Sequence, residues 1–179
     1  MQDFQIIAAV RDNDEFFSAL KSNVKTVFML NTNIEDIKEQ VLLAHKSAKK
    51  LFVHIDLAEG IGKDVYGIKF LKNNGVDGII STRTNIIKLA RKENIFTVQR
   101  FFIVDSQSIE TTVESALSSK ADMIEIMPGT LSKVIKKLKT RLPMPIVAGG
   151  IIESEQEIKE VMESGAHAVS TGKNNLWAL

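Results

Sequence analysis

Eight short apolar runs alternate with amphipathic segments from one end of this chain to the other, and no other feature restricts the fold so tightly. The runs are Gln5–Val10, Thr26–Leu30, Leu51–Asp56, Gly78–Ser81, Phe96–Phe101, Met123–Met127, Ile146–Ala148 and Ala168–Thr171. They consist mostly of Val, Ile, Leu, Phe and Met, the composition of parallel strands covered on both faces. Seven segments with helical spacing separate them, shown by Ile34, Ile37, Val41 and Leu42 in one and Val134, Ile135 and Leu138 in another. Helix-capping residues open several of these segments: Asp12, Asn33, Thr84, Asp105 and Ser154. Gly75 and Gly165 stand where a helix hands over to the next strand, and Pro143 and Pro145 mark the turn before the seventh run.

Eight strands with seven intervening helices predict a small TIM-like (β/α)8 barrel. Residues 1–179 form a single domain, and the final helix is missing or reduced to Asn174–Leu179. The chain is shorter than the usual barrel of about 250 residues, so its loops must be short. A doubly wound open sheet is the alternative, but neither GxGxxG nor GxxxxGK[ST] occurs. With 44% hydrophobic residues a full core can be buried, and the absence of cysteine excludes disulfides and thiolate metal sites. No stretch approaches the roughly 18 apolar residues that span a bilayer, so a cytoplasmic protein without membrane contact is expected. A net charge of +1 gives no global attraction to nucleic acid, and any polyanion must meet a local patch.

In such a barrel the loops after the strands build the site, so polar residues at strand C-termini are the functional candidates. Arg11, His54, Asp56, Arg83, Arg100 and Glu125 occupy such ends. Alternation along the third run puts Phe52, His54 and Asp56 on one face, and the same parity turns Glu125 inward. A histidine and two carboxylates at a common mouth suit acid–base work, divalent-cation binding or a satisfied polar layer. The three arginines suit either surface ion pairs or anion contacts. Gly149-Gly150 and Thr171-Gly172 end the last two strands, where backbone N–H groups commonly hold a phosphate, although such glycines also serve simple turns. Lys133, Lys136, Lys137 and Arg141 share one face of a basic helix, predicted over Lys133–Arg141. That face reads as solvated; as an RNA contact it would be modest, since no aromatic residue is interleaved.

Several motifs together resemble the glycerol uptake operon antiterminator regulatory proteins. They are Ile7-Ala8-Ala9-Val10-Arg11, Val53-His54-Ile55-Asp56-Leu57, Asp77-Gly78-Ile79-Ile80-Ser81-Thr82-Arg83 and Gln99-Arg100-Phe101-Phe102-Ile103-Val104-Asp105-Ser106. Ile124-Glu125-Ile126-Met127-Pro128-Gly129, Ile146-Val147-Ala148-Gly149-Gly150-Ile151-Ile152, Ala168-Val169-Ser170-Thr171 and Leu176-Trp177 complete the set, which spans essentially the whole chain. The resemblance implies a regulator that senses glycerol 3-phosphate and, when liganded, promotes transcription past a terminator in the leader mRNA of glycerol-utilisation genes. It further implies that Gly149, Gly150, Thr171 and Gly172 hold the phosphate while His54, Asp56 and Glu125 meet the glycerol hydroxyls. Met127 replaces the leucine expected before Pro-Gly, a volume-conserving change. Gly172 replaces an expected serine and removes a hydroxyl from the phosphate loop.

The reading that follows has no catalytic residue, no metal and no cofactor beyond glycerol 3-phosphate as effector. Its partners are the leader mRNA, the small phosphorylated ligand and a second copy of the chain in a homo-oligomer. Two alternatives stand beside it: a barrel enzyme of the isomerase or aldolase type acting on a small phosphorylated metabolite, and a purely structural or interaction barrel. No lysine occupies the inward end of a predicted strand, which disfavours Schiff-base chemistry.

Overall fold

Each predicted run forms a strand, and the eight pair in chain order and parallel into a closed barrel. The structure is a computed structural model that describes residues 5–179. Its elements are β1 (Ile6–Val10), α1 (Asn13–Lys21), β2 (Thr26–Met29), α2 (Ile37–Lys46), β3 (Lys50–His54), α3 (Val65–Asn73), β4 (Gly78–Ser81) and α4 (Thr84–Lys92). They continue with β5 (Phe96–Phe102), α5 (Ser106–Ser119), β6 (Met123–Met127), α6 (Ser132–Lys139), β7 (Ile146–Gly149), α7 (Glu155–Glu163) and β8 (Ala168–Thr171). Closure is made by β1 and β8, with Ile7 level with Ser170.

Alternation along each strand produces two apolar layers. The inner one holds Ile7, Phe28, Phe52, Ile80, Val98, Val147 and Ala168, with Phe28 and Phe52 stacked at a centroid distance of 5.6 Å. This layer fills the lower barrel, so the interior is a packed core and only the mouth is left to polar groups. The outer layer joins the opposite strand faces to the helices and forms the main core. No helix among the described residues is long and apolar enough to cross a membrane.

The helix starts follow the capping chemistry with two shifts. Asp12, Asp105 and Ser154 accept from backbone N–H groups of the first helical turn, and the last two form reciprocal capping boxes. Asn33 instead caps a turn that precedes α2, accepting from Glu35 N and Asp36 N, and Asp36 is the N-cap itself. Thr84 is the first helical residue rather than the cap, which is Arg83. Asp64, which the sequence reading missed, caps α3 through Tyr66 N and Gly67 N.

Three further differences bear on function. β3 ends at His54, and Ile55–Leu57 is a turn of 3-10 helix, so Asp56 does not continue the inward row. The basic helix ends at Lys139, leaving Arg141 in the following loop. A short 3-10 turn at Asn174–Leu176 stands in place of an eighth helix. It delivers Trp177 to a buried position, where the indole Nε1 donates to the Thr171 carbonyl at 2.8 Å. One large ring thus covers the side of the barrel that an α8 would otherwise cover, and it ties the chain end to the tip of β8.

Replacing Trp177 by Ala is therefore expected to cost roughly 3–5 kcal/mol of unfolding free energy. Trp177→Phe should cost clearly less, since it keeps most of the volume and loses the hydrogen bond. Chemical denaturation of the two variants checks the order.

Candidate ligand site at the barrel mouth

A cavity of about 370 Å³ opens between the ends of β1, β5, β6, β7 and β8. Its base is formed by Arg100 and Glu125, which are level with one another on adjacent strands. Their sequence parity turns both inward, and the Arg100 Nε donates to Glu125 Oε2 at 2.6 Å. The other carboxylate oxygen accepts from Ser170 Oγ at 2.5 Å. Glu125 is wholly buried and the Arg100 side chain is 7% exposed, so the pair is nearly desolvated. Such a pair is tolerable only when its oxygens and protons are matched. Here Nε and Ser170 engage both oxygens of Glu125, and the remaining guanidinium nitrogens belong to a side chain that lines the cavity.

Gly149 does not line the cavity; it makes room for this network. A Cβ at that position would collide with the Glu125 carboxylate and lie 2.7 Å from Ser170 Oγ. Gly150 and Ile151 follow with left-handed backbones, φ 74° and 58°. For a β-branched residue that conformation is strained, by an amount on the order of 1–3 kcal/mol. Gly150 is fastened by its carbonyl, which accepts from Gly129 N at 3.0 Å. Gly150 and Ile151 line one wall of the cavity, and Gly172 and Lys173 line the facing wall. Lys173 Nζ reaches Glu153 Oε1 at 2.9 Å, joining the loops after β7 and β8 across the rim.

Of the residues expected from sequence, Arg11, Arg100, Glu125, Gly150, Thr171 and Gly172 border this cavity. Thr171 does so without its hydroxyl, which donates to the Ile152 carbonyl at 2.9 Å and accepts from Lys173 N. It shapes the two loops, and the inward hydroxyl belongs to Ser170. Arg11 is exposed and pairs loosely with Glu15 at 3.9 Å. Asp56 is engaged elsewhere: it accepts from Ser81 Oγ, Thr82 N and Thr82 Oγ1 and lies 3.7 Å from Arg83 Nε, fixing the loop after β4. Burial raises its pKa, but these hydrogen bonds outweigh burial and hold it below the ordinary carboxylate value. Asp56 and Arg83 are thus outside the cavity lining. Ser170, Lys173 and Glu153 were missed; parity from Ala168 would have flagged Ser170, whereas the other two lie in loops where no periodicity speaks.

His54 lies inside the barrel behind the ion pair. Its side chain is 5% exposed, its Nε2 is 4.0 Å from Asp56 Oδ2, and neither ring nitrogen has a hydrogen-bond partner. Burial first, and then the Arg100 charge, pull its pKa down to about 4, with Asp56 opposing. His54 is therefore neutral near pH 7. Among the described residues no cluster of three or more His, Asp or Glu side chains is arranged to hold a metal ion.

Lys137 of the basic helix and Arg141 in the loop after it both reach Glu110 of α5, Arg141 through two bonds of 2.8 and 2.7 Å. The Arg141 hydrogen bonds hold the Glu110 pKa down to about 2. Half of the expected basic face is thus spent on an interhelix ion pair.

The chain matches the family model described as glycerol-3-phosphate responsive antiterminator over residues 6–177. It is 35% identical over 175 residues to the Escherichia coli K12 protein YgcP, covering 97% of this chain and 92% of that one. The structure is similar to that of the glycerol uptake operon antiterminator regulatory protein from Listeria monocytogenes, with a TM-score of 0.92 at 33% identity and coverage of 99% and 96%. It is likewise similar to a glycerol uptake operon antiterminator-related protein from Thermotoga maritima, with a TM-score of 0.88 at 30% identity and coverage of 98% and 99%. An aldolase that shares 16% identity at a TM-score of 0.77 shows the fold alone.

The depressed His54 pKa sets a pH dependence. The unfolded histidine takes up its proton near pH 6.5 and the folded one near 4, so stability is full above 6.5 and falls as pH drops through that window. The loss amounts to about 3 kcal/mol. Denaturation of wild type and His54→Gln at pH 7 and pH 4.5 should show a much flatter dependence in the variant. An equal dependence in both would contradict the assignment.

Proposed function

The chain belongs to the glycerol-3-phosphate responsive antiterminator family, and from that premise we propose that glycerol 3-phosphate binds in the mouth cavity and switches the protein's action on leader mRNA. The observation that carries this reading is the convergence of two glycine-bearing loops and a buried arginine on one cavity. A phosphate dianion wants several donors at close approach, and Gly150 and Gly172 let the main chain of the two loops come near without a side chain in the way. Lys173, once released from Glu153, adds a cation to that end. The glycerol hydroxyls, which both donate and accept, then fall toward Arg100, Glu125 and Ser170.

In this reading Gly149 and Thr171 serve the ligand indirectly, the first by leaving room for the Glu125–Ser170 bond and the second by pinning the loop after β7. His54 stays neutral, so it adds no second positive charge beside the Arg100 guanidinium. Phosphate entry would draw together the loops after β7 and β8, now joined by Lys173–Glu153. The liganded arrangement acts on the leader transcript only if glycerol 3-phosphate binds it more tightly than the free one, since equal affinity shifts nothing.

Titration calorimetry with glycerol 3-phosphate, glycerol and inorganic phosphate tests the ligand. Glycerol 3-phosphate should bind more tightly than either fragment. Gly172→Ser, which adds a small hydroxyl where a Cβ meets only ordinary contacts, should keep that affinity within about tenfold. Gly172→Asp should lose roughly 100-fold or more, because it sets a carboxylate against the phosphate. Equal affinity for glycerol, or an unaffected Gly172→Asp protein, would contradict the site.

A further inference from the structure

The net charge of +1 conceals an uneven spread of charge. At the mouth the acids in the first turns of α1, α2 and α7, Asp14, Glu15, Glu39, Glu155 and Glu157, are mixed with the exposed cations Arg11, Arg83 and Lys133. The opposite end, the floor, is where the helices finish and the strands begin. Exposed Lys21, Lys25, Lys46, Lys50, Lys92 and Lys120 stand there. Among the described residues none of these six ammonium groups lies in a salt bridge or side-chain hydrogen bond. The floor's acids are mostly taken: Asp77 by His45 and Leu51 N, Glu93 by Lys69, and Asp122 by Arg91 and Thr97, with Glu163 at the end of α7.

Four of these lysines, Lys21, Lys25, Lys46 and Lys50, come from two neighbouring β/α units. The loop before β2 and the loop before β3 are joined by Lys50 N donating to the Lys25 carbonyl at 2.9 Å. The buried Lys49 ammonium donates to the Ser22 and Val24 carbonyls at 2.8 and 2.6 Å and fixes the two loops together. Lysines at helix ends are what the helix dipole favours. Lys25 and Lys50 lie outside the helices, so that explanation does not extend to them. At the same end Phe96 is 40% exposed, with its ring 5.5 Å from that of Phe52, which itself stacks on Phe28. Lys120 stands on the other side of Phe96, near Arg91 and Asp122.

Resting on the antiterminator reading above, we propose that the floor of the barrel is the RNA-binding face. Lys21, Lys25, Lys46 and Lys50 take the phosphates of a single-stranded stretch of leader RNA, and Phe96 stacks on one of its bases. Cations along a groove with an aromatic ring among them are the general solution for a flexible, sequence-tolerant strand. The basic face predicted over Lys133–Arg141 is weaker on the first count, since Glu110 holds Lys137 and Arg141, two of its four cations, and no aromatic residue is interleaved in it. One half-exposed ring gives a base a stacking surface and gives a bilayer little to take up, which favours RNA over an anionic membrane. The effector and the RNA then occupy opposite ends of one rigid barrel.

The test measures binding of full-length protein to the labelled leader transcript of the host's glycerol-utilisation operon, across salt concentrations, with and without glycerol 3-phosphate. The combined variant Lys21→Gln, Lys25→Gln, Lys46→Gln and Lys50→Gln should keep the wild-type melting temperature. It should bind roughly 10- to 100-fold more weakly at 0.15 M salt, with the slope of log K against log salt shallower by about 3. Phe96→Leu should weaken binding and leave that slope unchanged. Lys133→Gln with Lys136→Gln should change neither. Wild-type affinity in the four-lysine variant, or loss confined to the α6 pair, overturns the proposal and leaves the antiterminator reading standing. So does a four-lysine variant that loses binding only to phosphatidylglycerol vesicles. A wild-type protein that binds no leader RNA in either ligand state removes both.

Discussion

The buried ion pair between Arg100 and Glu125 sets the conditions for everything around it. Removing two charges from water costs several kcal/mol per ion unless their partners are well placed. At this site the 2.6 Å contact between them and the Ser170 hydroxyl supply that match. Gly149 must then lack a side chain, because any Cβ would displace the Glu125–Ser170 bond. His54 must remain neutral, because a second cation beside Arg100 in a dry interior is disfavoured. The packed inner layer below, from Phe28 and Phe52 to Val98 and Val147, keeps water from reaching the pair from the floor. Access is left to the mouth alone, where the cavity lies.

That arrangement gives the barrel a polarity. At one end two loops with little side-chain bulk frame a polar cavity, and one of them carries Ile151 in a strained left-handed turn. At the other end lysines that have no ion-pair partner among the described residues stand beside an exposed phenylalanine. Between them runs a close-packed core of low compressibility, which transmits strain from one end of the barrel to the other.

Much of this was legible in the sequence because it rests on short-range rules. Alternating apolar runs point to the eight strands, and inward parity finds His54 and Glu125, whereas Arg100 stands out only by its place at a strand end. Parity failed for Asp56 because β3 ends one residue after Val53, and a 3-10 turn redirects the chain toward Ser81 and Thr82. Thr171 stands out in the sequence by its place at the strand end before Gly172, whereas the inward direction that parity gives belongs to Ser170. The basic face of α6 lost half its charge to Glu110, a partner 27 and 31 residues away that no helical spacing reveals. The floor lysines come from helix ends, a strand start and loops distant in sequence, and a near-zero net charge hides them. Only the closed barrel brings them to one end.

The most direct measurement is a crystal structure with glycerol 3-phosphate at saturating concentration. The phosphate should lie between the Gly150-Ile151 turn and Gly172-Lys173, with the Lys173–Glu153 contact broken and the hydroxyls directed at Arg100, Glu125 and Ser170. A phosphate bound at the floor lysines, or a mouth cavity left empty under those conditions, would contradict the account.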